Sequence, residues 1–254
     1  MQEIGSIKKA ASILNLFTQG YPELGPTEIS VMLGMNKSTV IRLINTLVSV
    51  GLMRKTPRRG KYCLGRQIMS LAYASSKDTE LESVCLPYLQ QLRDETGETI
   101  SLDIIEGDKR QCILIVEGNY PIKLGAKVKG EYATLHAGSD SKLLLAFLPD
   151  EEIDRILQKT ELTRYTKHTI TNINTLKKEI ENIRKKDYSI SKEERWEYAF
   201  CISAPVRNYT GNVIAALSVF GVVFRLTPER EKELVKHLSR TADEISVQLG
   251  YWGK

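Results

Sequence analysis

A run of polar side chains between residues 37 and 46 could contact a nucleic acid. Ser38 and Thr39 carry short hydroxyl groups that can reach the edges of bases, and Arg42 carries a planar guanidinium group suited to guanine or to phosphate. Lys37 precedes them and could pair with a backbone phosphate. The candidate contacts of this segment are Lys37, Ser38, Thr39, Ile41, Arg42 and Asn45.

A second basic group lies between two short strand-like segments at residues 52–55 and 61–64. Arg58 and Arg59 occupy the turn that joins the segments, and Lys61 begins the second one. A basic hairpin after two short helices is the arrangement of a winged helix-turn-helix, whose wing meets the DNA backbone or the minor groove. We therefore predict that these three side chains contact DNA.

Three helices must position these groups. The spacing predicts a first helix over residues 7–18, a second that begins at Pro26 or Thr27 and ends at Gly34, and a third that begins after Asn36. Apolar residues recur in the third helix at i, i+3, i+4 and i+7, so they face the other helices and leave the polar side exposed. The residues predicted to face inward are Ile7, Ala10, Ala11, Leu14 and Phe17, then Ile29 and Leu33, then Val40, Leu43, Ile44 and Leu47.

Charge is unevenly distributed along the 254 residues. Residues 1–78 carry 11 Lys and Arg against 4 Asp and Glu, a net charge of +7, whereas residues 79–254 carry a net charge of −2. A basic head on a nearly neutral body predicts a polyanionic partner for the head alone. The longest apolar stretch is too short to span a bilayer, the N-terminus lacks a signal-peptide pattern, and the four cysteines form no C-x-x-C pair. The sequence thus predicts a cytoplasmic protein with no membrane partner, zinc knuckle or disulfide framework.

The C-terminal part alternates between strand-like and helical patterns. Strands are predicted at residues 99–105, 111–116, 122–128, 188–191, 199–206 and 212–220, and helices at residues 80–95, 141–148, 151–159, 176–185 and 227–249. Neighbouring short strands flanked by helices favour an α+β fold with a mainly antiparallel sheet. We predict a winged helix-turn-helix domain at residues 1–66, a linker helix at residues 67–78 and an α/β domain at residues 79–254.

A series of short motifs follows along nearly the whole chain. They are GPTEISVMLGMNKSTVIRLINTLVSVGLM, GKYCLG, DETGETISLDI, LHA, SKLLLAFLP, YSI, SAPVRN, GNVIAALSVFG and RLTPER. In these residues and in their order, the sequence resembles the IclR-type (isocitrate lyase regulator) bacterial transcription factors. The resemblance implies a winged helix-turn-helix, a linker helix and a GAF-like effector-binding domain. It also implies dimers or tetramers that bind palindromic operators in double-stranded DNA and respond to a small-molecule effector, mostly a small organic or aromatic acid.

The resemblance also implies an effector pocket within residues 120–220, where the first turn of a helix meets the sheet. Free amide groups at such a helix N-terminus bind carboxylates. Asp140 stands in this turn and would repel a carboxylate unless it is protonated, turned away or paired with a cation. Ser191 and Phe220 stand where some relatives have Asp and Ser, which predicts a pocket that is more apolar on one wall and could accept a hydroxylated, aromatic or neutral ligand. The candidate effector-binding residues are Leu124, His136, Ser139, Asp140, Ser191, Cys201, Ser218 and Phe220.

Two other functions remain open at this point. A Cys–His pair can act in nucleophilic catalysis, so Cys201 and His136 could make the domain an enzyme, and the four cysteines could make it a redox or metal sensor. Nothing in the sequence indicates that Cys201 and His136 are adjacent or activated. We therefore expect a transcriptional regulator rather than an enzyme, and a repressor rather than an activator, without a cofactor or a bound metal. It should bind two DNA half-sites as a homodimer or homotetramer.

Overall fold

The computed structural model describes residues 4–17, 21–76, 80–121 and 127–251. The chain divides into two units, Met1–Glu80 and Leu81–Lys254. Within these described ranges, no helix is both long enough and apolar enough to cross a membrane.

The described part of the N-terminal unit contains helices and a two-stranded hairpin. The elements are α1 (Gly5–Leu16), α2 (Pro26–Leu33), α3 (Lys37–Ser49), β1 (Met53–Lys55), β2 (Tyr62–Leu64) and α4 (Gln67–Ser76). The two strands are antiparallel, with Arg54 opposite Cys63. Leu24, just before α2, exchanges two backbone hydrogen bonds with Tyr62. This bridge ties the hairpin to the start of α2.

The apolar faces of α1, α2 and α3 meet in one core. Ile13, Ile29 and Val40 are completely buried there, which confirms the predicted inner faces of α2 and α3. The predicted inner face of α1 is confirmed in part: Ala10, Leu14 and Phe17 pack against this core, whereas Ile7 and Ala11 are exposed and Ile13 takes the central position. A helix turns by about 100° per residue, so several overlapping apolar stripes can be drawn on α1, and packing against α3 selects one of them. α1 ends at Leu16, and the predicted end at residue 18 lies outside the described residues.

The C-terminal unit is built on an antiparallel sheet with helices on both faces. Its helices are α5 (Glu80–Thr96), α6 (Ser139–Ala146), α7 (Asp150–Lys159), α8 (Ile173–Lys186) and α9 (Pro228–Gln248). Its strands are β3 (Thr99–Glu106), β4 (Lys109–Val116), β5 (Tyr132–Thr134), β6 (Ser189–Lys192), β7 (Ala199–Arg207) and β8 (Val213–Val222). The strands lie in the order β5-β4-β3-β8-β7-β6, and each neighbouring pair is antiparallel.

Different helices cover the two faces of this sheet. Leu89 of α5, Leu238 of α9 and Leu217 of β8 belong to one buried apolar cluster. Ala216 belongs to a second cluster, which contains α6, α7 and α8. Because side chains alternate along a strand, Ser218 also faces α6. The candidate effector site therefore lies on the α6 side of the sheet.

The sheet confirms the predicted α+β architecture, with two differences among its strands. β3, β4, β6, β7 and β8 begin and end within two residues of their predicted positions. The strand predicted at residues 122–128 is wrong in its described part, since Lys127 and Val128 are not in a strand, and residues 122–126 lie outside the described ranges. The prediction instead missed β5, which pairs with β4 through Ala133 and Arg110. A three-residue edge strand is too short to show a period of two.

Candidate DNA-binding surface and effector cavity

The turn between α2 and α3 sets the direction of α3. Gly34 ends α2 in the left-handed region, with a φ of 62°, a conformation that glycine adopts without steric cost. Asn36 stands at the predicted N-cap of α3, although its side chain accepts no hydrogen bond from the first turn. α3 then buries Val40, Ile44 and Leu47. Its opposite side therefore lies at the surface of the N-terminal unit.

The residues of α3 that we predicted to contact DNA lie together on this outer side. Arg42 makes no ion pair with any residue that the structure describes. The Thr46 hydroxyl, in contrast, donates to the Arg42 carbonyl oxygen at 3.1 Å and stays within the helix. A helix side with a free guanidinium group and short hydroxyl groups has the donors that base edges and phosphates require. The exposed candidates are Lys37, Ser38, Ile41, Arg42 and Asn45, and Thr39 is half-buried.

Two of the basic side chains of the wing are paired with carboxylates of the same unit. Arg58 Nη1 lies 2.9 Å from Glu23 Oε1, and Lys61 Nζ lies 2.6 Å from Glu28 Oε1. The Arg58 side chain is still 81% exposed, so a phosphate can compete with Glu23 in solvent. Arg59 is exposed and pairs with no carboxylate in the described ranges. Of the three predicted wing contacts, Arg59 is therefore the one most available to DNA.

Glu28 connects the wing to the helix-turn-helix. The Lys61 ammonium group donates to both Glu28 oxygens, and the Gly25 backbone N–H donates to Glu28 Oε2 at 2.6 Å at the start of α2. These hydrogen bonds lower the pKa of Glu28, and those from Lys61 contribute most. Lys61 thus has a structural partner as well as its predicted role as a DNA contact.

In the C-terminal unit, four serines cross the sheet in register beneath α6. Ser101 pairs with Ser218, Ser218 with Ser203, and Ser203 with Ser189. The Ser203 hydroxyl lies 2.8 Å from that of Ser218 and 2.7 Å from that of Ser139, the first residue of α6. The sheet therefore presents a buried polar strip to α6, and this strip joins the candidates Ser139 and Ser218.

A buried network of charges adjoins this serine strip. Lys127 Nζ donates to Ser101 Oγ at 2.8 Å, to Asp103 Oδ2 at 2.7 Å and to Asp140 Oδ2 at 2.6 Å. Arg110 donates to the other oxygen of Asp103 at 2.7 Å. Burial acts to raise the pKa of Asp140, but Lys127 and Arg110 outweigh it and hold that pKa well below its usual value. Asp140 is therefore ionised and paired with a cation, one of the arrangements that the sequence left open.

A narrow cavity lies beside this network. Trp196 and Phe220 form its aromatic wall, with ring centroids 5.5 Å apart in edge-to-face contact. Four of the candidate effector-binding residues line the cavity, namely Asp140, Ser191, Cys201 and Phe220. The other lining residues, which the sequence analysis did not identify, are Lys127, Gly138, Glu194, Arg195, Trp196, Ala199 and Phe200.

The remaining candidates do not line this cavity. Ser139 and Ser218 belong to the serine strip described above. His136 is buried elsewhere, with Nε2 3.0 Å from the Thr163 carbonyl oxygen and its ring stacked on Tyr165 at a centroid distance of 5.6 Å. Burial lowers the pKa of His136, so its imidazole is neutral at pH 7. Leu124 lies outside the described residues.

Cys201 lines the cavity as a protonated thiol. Burial raises the pKa of Cys201 to about 11, so the thiolate is a minor species at neutral pH. The Cys201 Sγ atom lies 3.9 Å from Ser203 Oγ. Among the described contacts, His136 pairs with Thr163 and Tyr165 rather than with Cys201. The two side chains therefore lack the mutual hydrogen bond that an activated nucleophile needs.

Family models match both units of the chain. The IclR helix-turn-helix domain matches residues 6–57, and the bacterial transcriptional regulator IclR C-terminal domain matches residues 73–247. The chain belongs to the IclR family. The members of this family are DNA-binding transcriptional regulators. In this chain, α3 lies within the matched helix-turn-helix domain, and the cavity lies within the matched C-terminal domain.

Characterised IclR-family proteins are similar to this chain over nearly its whole length. The HTH-type transcriptional regulator KdgR of Escherichia coli is 30% identical over 248 residues, which cover 98% of this chain and 94% of KdgR. The transcriptional repressor IclR of the same organism is 24% identical over 250 residues, covering 98% and 91%. The crystal structure of Thermotoga maritima IclR, at 28% identity, has a TM-score of 0.74 and covers 98% of this chain and 100% of that one.

One solved IclR homologue contains a bound acid. The homologue from Microbacterium hydrocarbonoxydans, in complex with 4-hydroxybenzoate, has a TM-score of 0.82 and covers 96% of this chain and 98% of its own. At 22% sequence identity, this similarity shows only that the two chains share a fold.

The charged lining of this IclR-family cavity was missed for a physical reason, although one signal was present. Arg110 occupies the same every-second positions of β4 as three apolar residues, Cys112, Leu114 and Val116, and all four side chains are buried. A charged residue in phase with apolar core positions of a strand requires a buried counter-ion. This pattern indicates a buried carboxylate partner for Arg110, which the structure supplies in Asp103 and Asp140, but it contains no information about Lys127, Glu194 or Arg195.

Proposed function

We propose that this IclR-family chain is a cytoplasmic repressor whose binding to a palindromic operator is modulated by a small organic or aromatic acid. It acts as a homodimer or homotetramer, and the acid occupies the cavity of the C-terminal unit. The observation that carries this proposal is the exposed outer side of α3, where Arg42 stands without an ion-pair partner among the described residues. Because the Arg42 side chain has no ion-pair partner within the described residues, its proposed role is to contact DNA.

Operator recognition would combine α3 and the wing. α3 enters the major groove with Ser38, Thr39 and Arg42 at base edges or phosphates, Lys37 at a phosphate, and Ile41 and Asn45 beside them. Arg58 and Arg59 meet the DNA backbone next to the groove. Two copies of the chain would occupy two half-sites on one face of the duplex, about one helical turn or more apart. The similarity to the E. coli repressor IclR favours repression.

Effector control would act through the cavity and the serine strip. A ligand shifts a protein between two states only if it binds one of them more tightly. The cavity offers buried polar groups and an aromatic wall, which favour a ligand with one charged end and one apolar part. The 4-hydroxybenzoate bound by the Microbacterium homologue supports an acid of this kind.

Selection of binding sites tests the proposal. The purified full-length protein is incubated with a pool of random duplexes, and the bound DNA is sequenced. We expect a palindromic site that Arg42→Ala no longer enriches. We also expect that a panel of small acids, including 4-hydroxybenzoate and benzoate, contains at least one that weakens binding to this site in a gel shift. A wild-type protein that enriches no sequence contradicts the proposal.

No observation favours the enzyme or the redox sensor over this function. Cys201 is a buried thiol with a pKa of about 11, and its described contacts do not include His136. The relatives identified above are regulators of transcription.

A further inference from the structure

A groove lies between α1 and α3 in the N-terminal unit. It has a volume of about 540 Å³, and its base is apolar, formed by Ala10 of α1 with Leu43 and Leu47 of α3. These three side chains also pack in the core that α1 and α3 share with α2. The walls of the groove are therefore fixed by the packing of the two helices.

Polar side chains form the rim of this groove. The structure places Ser6 and Lys9 of α1 on one side, and Thr39, Arg42 and Thr46 of α3 on the other. The three residues of α3 follow at i, i+3 and i+7, a spacing that sets side chains in one row along a helix. All five are exposed except Thr39, which is half-buried. Thr46 uses its hydroxyl within α3, so the other four side chains remain as the donors of the rim.

Among the described residues, the lining of the groove carries positive charge and no negative charge. Neither α1 nor α3 contains an Asp or a Glu. Lys9 is exposed and, like Arg42, makes no ion pair with any residue that the structure describes. Two unpaired cations at one rim favour an anion between or beside them. A polyanion is therefore the complementary partner of this groove.

Arg42 joins the groove to the outer side of α3. Its side chain belongs to the exposed surface that we propose for operator recognition, and it also lines the groove. A recognition helix in the major groove lies between the two DNA backbones that border it, so a backbone faces each flank of the helix. The flank of α3 that carries Thr39 and Thr46 faces α1. One DNA backbone therefore passes within reach of α1.

We propose that this backbone lies over the groove between α1 and α3, and that Lys9 binds one of its phosphates. The inference rests on the proposed function, because it takes α3 to be the recognition helix. Half or more of the hydrogen bonds between proteins and DNA go to phosphate and sugar. The hydroxyl groups of Ser6 and Thr39 add neutral donors beside Lys9. Lys9 thus contributes affinity and holds α3 in position on the duplex, but it reads no base.

The salt dependence of DNA binding by the full-length protein tests this contact. Fluorescence anisotropy gives the affinity for the selected operator and for a random duplex between about 0.05 and 0.3 M salt. Lys9→Gln removes one cation and keeps a residue that favours helix. We expect the slope of log affinity against log salt concentration to decrease by about 0.9 on both duplexes. The affinity at about 0.1 M salt should fall about eightfold on both.

Lys8→Gln is the matched control, because it removes the same charge from the same helix. Lys8 does not line the groove. It precedes Ala10, at the base of the groove, by two residues, which is a rotation of about 200° around the helix. The Lys8 side chain therefore points away from the groove, and Lys8→Gln should keep the wild-type slope.

A second pair of variants separates charge from folding. Ser6→Glu places a carboxylate at the rim, in the first turn of α1, where an acidic residue stabilises a helix. Its negative charge should nevertheless weaken binding to both duplexes about fivefold or more by repelling phosphate. Ser6→Gln has a similar size without the charge and should bind within about threefold of wild type. Thermal unfolding without DNA verifies that each variant is folded.

Four results overturn the inference. They are a wild-type slope in Lys9→Gln, a loss of affinity confined to the operator, an equal loss in Lys8→Gln, and equal affinities of Ser6→Glu and Ser6→Gln. A changed oligomeric state of Lys9→Gln with the wild-type slope would identify a second copy of the chain as the occupant of the groove, and it also overturns the inference. Any of these results in a protein that selects an operator overturns this inference alone, whereas wild-type protein that selects no DNA contradicts the proposed function.

Discussion

Lys127 and Asp140 form a buried ion pair in the C-terminal unit, with Lys127 Nζ 2.6 Å from Asp140 Oδ2. Their side chains are 2% and 8% exposed, and Asp103, which is completely buried, shares the same ammonium group at 2.7 Å. Removing a carboxylate from water is costly unless a cation and hydrogen bonds compensate it. Lys127 therefore allows two carboxylates to lie between the sheet and α6.

Removal of this lysine should strongly destabilise the C-terminal unit. Lys127→Met keeps most of the apolar stem but leaves Asp103 and Asp140 with Arg110 as their remaining cation. Breaking a buried pair by removing one partner costs about 3–5 kcal/mol, which urea denaturation measures. Lys129→Met is the control, since Lys129 is 55% exposed and pairs with Glu82. Lys129→Met should change the free energy of unfolding by no more than about 1 kcal/mol. Equal stability of the two variants contradicts the stabilisation of Asp103 and Asp140 by Lys127.

The same network should make stability depend on pH in acid. The pKa of folded Asp140 lies well below its ordinary value of 3.8, so the unfolded chain takes up the proton at a higher pH than the folded chain. The stabilisation is therefore complete above about pH 5 and decreases as the pH falls through about 4 towards the folded pKa. Urea midpoints measured from pH 6 downward should fall less steeply in Asp140→Asn. A variant with the wild-type slope shows that Asp140 does not titrate in this way.

The sequence predicted the elements of the fold far better than the contacts within its cavity. The recurrence of Val40, Ile44 and Leu47 is a local pattern, and the structure buries all three. The partners of Lys127, in contrast, lie 13 and 24 positions away, and such a distance leaves no periodic signal. The contact of His136 is equally non-local, because its Nε2 atom lies 3.0 Å from the carbonyl oxygen of Thr163, 27 positions away.

Arg42 should determine operator affinity and sequence preference. Arg42→Ala removes an exposed guanidinium group from the outer side of α3 without changing the core. Loss of one such contact costs about 1–3 kcal/mol on the selected operator and relaxes the preference at the base that it reads. Gel shifts at one fixed salt concentration measure the change. Lys178→Ala, an exposed charge change in α8, is the control. Full operator affinity in Arg42→Ala contradicts the assignment of α3 as the recognition helix.

The wing should contribute affinity without sequence preference. The double variant Arg58→Ala, Arg59→Ala removes two cations, and each phosphate contact adds about 0.9 to the slope of log affinity against log salt concentration. We expect the slope to decrease by up to about 2, equally on specific and random DNA. Arg59→Ala alone should decrease the slope more than Arg58→Ala alone, because Arg58 must first leave its ion pair with Glu23 to contact a phosphate. An unchanged slope shows that the wing does not contact phosphate.

Cys201 should react slowly with alkylating reagents in the folded protein. The thiolate is the reactive form, and burial raises the pKa of Cys201 from 9.0 to about 11. The thiolate fraction at pH 7.5 is then about a hundredfold below that of an ordinary cysteine. Mass spectrometry after a timed exposure to iodoacetamide measures the labelling of each cysteine, with urea-unfolded protein as the reference.

If His136 activated the Cys201 thiol, His136→Gln would slow the labelling further. Because the imidazole contacts Thr163 and Tyr165 instead, we expect no change in this variant. Rapid labelling of Cys201 in the native protein, lost in His136→Gln, contradicts the separation of these two side chains.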